Sequence, residues 1–213
     1  MKTEDLVNLL ARQAEPVPAH GAEHRYAVAM LAGLLGSAVL MLAVLGLNPA
    51  LREHTSLPMF WAKGTFAASL AIAGVFGVLR LSRPGAPLGA IPAALATSLA
   101  LMWALAAWTL LSADPAQRPA LVFGRTWTSC PFNIALLSLP VFIGMLWATR
   151  GLAPTRLRLA GAAAGLAAGA AGALVYTLHC PELTAPFLGI WYVLGMLIPT
   201  FIGALIGSRL LRW

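Results

Sequence analysis

Acidic side chains are scarce in this sequence: seven Asp and Glu occur among 213 residues, and charged residues of all kinds make up only 10%. A soluble globular domain carries about 25% charged residues, so an ordinary water-facing surface is excluded. None of the seven acids falls inside a long apolar stretch. Proton- and cation-coupled transporters commonly place ionisable groups there, which counts against that class. Cysteine is scarce too: there are two, and no Cys-x-x-Cys. That excludes a disulfide scaffold and a vicinal redox motif. P-loop, His-Glu-x-x-His and Gly-x-Ser-x-Gly sequences are also missing, and with them the phosphate cradle, the zinc-protease helix and the nucleophile elbow.

Apolar residues are what the chain has in excess: 60% of it is hydrophobic and the mean hydropathy is +0.82. A helix needs roughly 20 apolar residues to cross about 30 Å of hydrocarbon. Six segments qualify: 26–47, 60–79, 88–111, 132–149, 157–178 and 187–208. The expected fold class is therefore all-α, a polytopic membrane helix bundle of six transmembrane helices with the lipid bilayer around it. The first segment follows 25 polar residues and ends at Leu47-Asn48-Pro49 without a small-x-small cleavage site, so it is expected to stay as a span rather than be removed as a signal peptide.

Orientation follows from the basic residues. With six spans both termini share a side, and that side collects ten Lys and Arg, against four on the other (Arg52, Lys63, Arg118 and Arg125). The asymmetry predicts both termini in the cytoplasm and an inner (cytoplasmic) membrane location. The net charge of +7 is then mainly a topology signal. Scattered over short segments, it makes no single basic patch, so direct nucleic-acid binding is not expected.

Small residues mark helix contacts. Gly161-x-x-x-Gly165-x-x-x-Gly169, set among alanines, lets helix backbones approach closely, and Gly203 and Gly207 repeat the spacing. Close packing inside one bundle is the expected use. Pro140 and Pro199 fall inside spans, where neighbouring helices can re-satisfy the backbone.

Two domains are expected: residues 1–25, a cytoplasmic helix and linker, and residues 26–213, the six-helix membrane domain. Thr3 can cap the first helix, with Glu4 and Asp5 in its first turn. Leu6, Leu9 and Leu10 share one face, and Pro16 and Pro18 end the pattern. A helix of about a dozen residues is marginal alone in water, so this stripe is a candidate partner-binding surface. The nearby acids favour a protein partner over anionic lipid.

The two cysteines share a position. Cys130 and Cys180 both fall at outer helix ends and both precede proline, in Ser129-Cys130-Pro131 and His179-Cys180-Pro181. A free cysteine is often an inert small hydrophobe, but an oxidising outer compartment admits a disulfide or a sensing dithiol. Pro131 leaves Cys130 near a helix N-cap, where a thiolate is favoured. Cys180 ends a helix, where the dipole acts the other way. Cys130, Cys180 and His179 also form a soft N/S set suited to zinc or a similar metal, with Glu182 or His54 available to complete it.

The stretch Leu178-His179-Cys180-Pro181-Glu182, then Phe187, Trp191-Tyr192-x-Leu194-Gly195 and Gly203-Ala204-x-x-Gly207-x-Arg209-Leu210-Leu211-Arg212-Trp213, resembles the NrsF-type negative regulators of sigma-F. The opening Met1-Lys2-Thr3-x-Asp5-Leu6 and the outer-loop Cys130 resemble that family as well. The resemblance implies a bacterial membrane anti-sigma factor, not an enzyme, whose partner is an extracytoplasmic-function sigma factor. It further implies that Cys130 and Cys180 sense oxidants or heavy metals, with no cofactor beyond transient heavy-metal or zinc binding. Two competing readings are a membrane thiol-disulfide oxidoreductase working with a quinone and a small transporter. The first ordinarily uses a vicinal cysteine pair and the second needs polar groups within its spans.

Overall fold

The computed structural model describes residues 3–5, 7, 21–152 and 154–212. Its long helices are Gly21–Val44 (α1), Pro58–Leu81 (α2), Ile91–Ser112 (α3), Cys130–Arg150 (α4), Leu157–Tyr176 (α5) and Ala185–Leu210 (α6). All six are long and apolar enough to cross a membrane. Four carry a proline in the first turn, namely Pro58, Pro92, Pro131 and Pro186. Its missing N–H would have no intrahelical partner there in any case. Short helical turns, Leu51–His54 and Arg118–Phe123, sit in the first and third connections. Pro140 and Pro199 lie within α4 and α6 as expected.

The alanines and glycines of α5 make it the axis of the bundle. It is the most buried helix, and α2, α4 and α6 pack around it. Gly161, Gly165 and Gly169 face α6 so closely that a Cβ on any of them would strike its backbone. Gly172 meets α4 in the same way, and Gly74 of α2 presses on the backbone of Ala167. The small-xxx-small spacing thus serves packing within the chain.

α1 leans on α4, where Gly33 abuts the backbone of Val141 and the Ser37 hydroxyl donates to the Leu137 carbonyl at 2.7 Å. α3 lies outermost, against α2 and the start of α6, with only Met102 and Ala106 buried. Leu31, Leu35, Val39, Phe76, Leu101 and Trp108 point outward from the bundle. A water-soluble monomer rarely presents so extensive an apolar surface.

The helices alternate in direction, so the bundle has two distinct ends. At the basic end, the Tyr26 hydroxyl of α1 meets the Ser82 hydroxyl at 2.7 Å and donates to Thr149 of α4 at 2.9 Å. Arg25 stacks 4.1 Å over the Trp147 ring and donates to the Trp147 carbonyl at 2.9 Å. At the opposite end the loops meet each other: the Asn48 N–H donates to the Leu178 carbonyl at 3.1 Å. Both cysteines lie at that end.

Candidate functional site

Cys130 is placed by the loop before it. Its backbone N–H donates to the Thr126 carbonyl at 2.8 Å, making it the first residue of α4 with Ser129 as N-cap. Residues 124–126 are in turn held from the other side of the site. One carboxylate oxygen of Glu182 accepts from the Arg125 N–H at 2.7 Å and from the Thr126 hydroxyl at 3.4 Å. Gly124 makes this possible: at φ 52° it takes a conformation most side chains avoid, and a Cβ there would collide with the Glu182 carboxylate.

Cys180 arrives from the end of α5, its N–H donating to the Tyr176 carbonyl at 2.9 Å. The two side chains, 50 residues apart in sequence, lie beside each other as free thiols in one buried cluster. Exposure is 0% at Cys130 and 1% at Cys180. Ile134, Tyr176 and Tyr192 pack in the same cluster. Tyr192 is brought there by the π turn Leu188–Tyr192 at the start of α6, a rare geometry often associated with functional sites. The Trp103 indole donates to the Gly189 carbonyl of that turn at 3.0 Å. The Tyr192 hydroxyl is fully buried and lies against the Cys180 thiol.

Lys63 completes the site. It stands in the second turn of α2 with 0% exposure. Its Nζ donates to the Cys180 carbonyl at 2.9 Å and the Glu182 carbonyl at 3.0 Å, and lies 5.1 Å from the Tyr192 ring centre. A buried ammonium is costly unless its donors are met. Here two carbonyls and a π face meet them.

This environment works against the asymmetry expected from helix ends alone. The Cys180 thiol is held below its ordinary value, chiefly by the Cys130 thiol beside it, then by the Lys63 charge and the Glu182 backbone N–H, against the opposing effect of burial. A helix N-terminus contributes up to about 2 kcal/mol in a partly buried geometry, whereas each hydrogen bond to a charged group contributes about 1.5–3 kcal/mol. Cys180 gathers the stronger interactions. Pro181 has no N–H, so the first backbone donor available after Cys180 is that of Glu182.

The other expected residues do not converge on the thiols. His179 directs Nδ1 to the Gly46 carbonyl at 3.0 Å, and His54 Nδ1 pairs with the Asn48 amide at 3.1 Å. The Glu182 carboxylate is engaged by residues 124–126. Among the described residues no three His, Cys, Asp or Glu side chains form a metal cluster, so the set Cys130, Cys180 and His179 is not assembled here. Leu6, Leu9 and Leu10 lie outside the described residues. Sequence reasoning missed Lys63, Tyr176 and Tyr192. For Lys63 a signal existed, because no other lysine falls within any of the six apolar segments.

The architecture defines a class: an all-α bundle of six helices of membrane-spanning length, with a buried dithiol and a lysine at one end. Residues 10–213 match the family described as negative regulator of sigma F, NrsF. Two relatives align along their whole length and the whole of this chain. One is the probable anti-sigma-F factor NrsF of Azospira oryzae, 54% identical over 213 residues. The other is the anti-sigma-F factor NrsF of Caulobacter vibrioides, 39% identical over 225 residues. The chain belongs to the NrsF family. No solved structure matches it.

Proposed function

We infer that this chain is an anti-sigma factor of the bacterial inner membrane, which holds an extracytoplasmic-function sigma factor at its cytoplasmic face and releases it when Cys130 and Cys180 react. The observation that carries the reading is the meeting of two free, buried thiols, one opening α4 and one from the loop after α5, in a chain whose relatives are named anti-sigma-F factors. The ten-to-four distribution of basic residues supports termini in the cytoplasm and the dithiol on the outer side. The sigma factor is held by the 1–25 segment through Leu6, Leu9 and Leu10. Chemical input is an oxidant that joins the thiols, or a soft heavy-metal ion that two thiolates suffice to bind.

Transmission has a physical route in α4. Cys130 opens this helix, while Trp147 and Thr149 near its far end hold Arg25 and Tyr26, in the second turn of α1. A disulfide that re-seats the outer end of α4 changes the balance between two packings at its inner end. Occupancy follows from differential affinity, and about 5.5 kcal/mol takes a two-state equilibrium from 1:99 to 99:1.

The test is a sigma-dependent reporter in cells carrying the full chain. The wild-type chain keeps the reporter silent until peroxide or cadmium is added. Cys130→Ser, Cys180→Ser and the double variant should show one shared defect in induction, because residues acting as a unit are not additive. Normal induction in the double variant would overturn the reading.

A further inference from the structure

We propose that Lys63 is the positioning charge of the dithiol and makes Cys180 the thiol that attacks an oxidant, leaving Cys130 to resolve the product. This rests on the reading of the pair as a sensor and assigns the order of its chemistry. The geometry is asymmetric. Lys63 Nζ is hydrogen-bonded to the carbonyl of Cys180 itself, at 2.9 Å, and to that of Glu182, at 3.0 Å. These bonds hold the segment 180–182 so that the Glu182 N–H meets the Cys180 sulfur. Cys130 reaches the same sulfur from α4. A negative sulfur at position 180 therefore has a cation and a backbone donor on its own segment, with the Cys130 thiol beside it, before any reagent arrives.

The remaining titratable groups leave that arrangement in place. Tyr176 of α5 and Tyr192 of α6 also face Cys180. The Glu182 carboxylate is drawn away to the backbone N–H of Arg125, and His179 turns to Gly46. Lys63 is the cation that addresses the thiols, and as a buried lysine it has two rigid carbonyls to keep it in place.

The reaction balances with hydrogen peroxide as the oxidant. The Cys180 thiolate attacks one peroxide oxygen, an S–O bond forms, the O–O bond breaks and the leaving hydroxide takes up a proton to become water. Cys130 then gives up its proton and attacks the sulfenic sulfur of Cys180. The S–S bond forms, the S–O bond breaks and a second water leaves. Two thiols lose two electrons in all, and one peroxide becomes two waters.

The experiment uses the full chain in detergent micelles as two single-cysteine proteins, Cys130→Ser and Cys180→Ser, each with Lys63, Lys63→Arg or Lys63→Met. Serine at 130 keeps a hydroxyl beside Cys180. Labelling by iodoacetamide is followed by mass spectrometry across pH, and sulfenic acid formation is followed after hydrogen peroxide. With Lys63 present, the lone Cys180 should label at least about tenfold faster at neutral pH than the lone Cys130, its rate levelling off below the ordinary thiol range. Lys63→Met should raise that inflection and slow Cys180 about three- to tenfold, the loss of thiolate being partly offset by higher nucleophilicity. Lys63→Arg should restore most of the rate. Cys130 reacting as fast as Cys180, or an inflection indifferent to Lys63→Met, overturns the proposal. If Lys63→Met does not fold, the comparison of the two single-cysteine proteins with native Lys63 decides alone. The sensor reading fails separately: a chain lacking both cysteines that still released its sigma factor on peroxide would end that reading and leave the labelling order standing.

Discussion

Gly161 of α5 and Gly203 of α6 meet backbone to backbone, each so close that a Cβ on one would strike the carbonyl of the other. Flexible side chains can step aside, but two packed helix backbones cannot. Gly161→Leu or Gly203→Leu should therefore destabilise the bundle by about 3 kcal/mol or more, the upper range for overpacking. Thermal unfolding of the detergent-purified protein checks this. Gly64→Ala in α2 is the control, since nothing lies within 4 Å of its Cβ position. It should be neutral or stabilising by up to about 1 kcal/mol.

At the basic end, Tyr26 ties α1 to Ser82 and Thr149 with buried hydrogen bonds of 2.7 and 2.9 Å. Ser82 and Thr149 each also donate to a carbonyl of their own helix, at Val78 and Met145, so Tyr26→Phe strands neither hydroxyl. The expected cost is about 1 kcal/mol, the net value of an ordinary hydrogen bond. Thermal unfolding measures it. A loss above about 3 kcal/mol would mean that the phenol holds more than these two partners.

Much of this molecule is legible in its sequence because membrane spans depend on length and composition alone. All six helices lie within a few residues of their expected positions, and the glycine spacing of α5 points to close helix contact. The shared depth of Cys130 and Cys180 is legible for the same reason: antiparallel neighbours return to the same level. What pattern cannot supply is the third dimension. That Lys63 reaches over to Cys180 follows from the packing of α2 on α5, and the turning away of His179 follows from a carbonyl just beyond α1. The contact between Glu182 and residues 124–126 requires two loops 57 residues apart to meet. Helix-end dipoles rank Cys130 as the readier thiol, whereas the tertiary neighbours Lys63 and Glu182 act in favour of Cys180.

Orientation is tested by reporter fusions. Fusions after Gly85, Gly151 and Trp213 should report cytoplasm, and those after His54, Gln117 and Thr184 the outside. The expectation rests on ten basic residues against four. A cytoplasmic result at Gln117 would reverse the topology and put Cys130 in a reducing compartment.

Replacing Leu6, Leu9 and Leu10 together with Ser removes the apolar stripe of the first segment while leaving all six spans intact. Membrane insertion should be unchanged and co-purification of the sigma factor lost. Undiminished retention would move the binding surface to the basic loops around Arg83 and Arg156.

The last prediction concerns pH. The folded protein holds the Cys180 thiol below its ordinary value, through Cys130, Lys63 and the Glu182 N–H, while the unfolded chain titrates near the free value of about 8.5. A group whose folded value is depressed binds fewer protons when folded than when unfolded, between those two values. Stability therefore rises with pH across that interval. The contribution is complete above about 8.5 and is lost as pH falls through the folded value. Unfolding of the reduced wild-type protein and of Cys180→Ser, compared at several pH values in detergent, isolates the effect. The advantage of wild type over Cys180→Ser should grow from mildly acidic to mildly alkaline conditions and then level off. Lys63→Arg should keep the trend, and Lys63→Met should flatten it. A difference between wild type and Cys180→Ser that stayed constant across the range would mean that folding leaves the Cys180 thiol at its unfolded value, and that its neighbours act by packing alone.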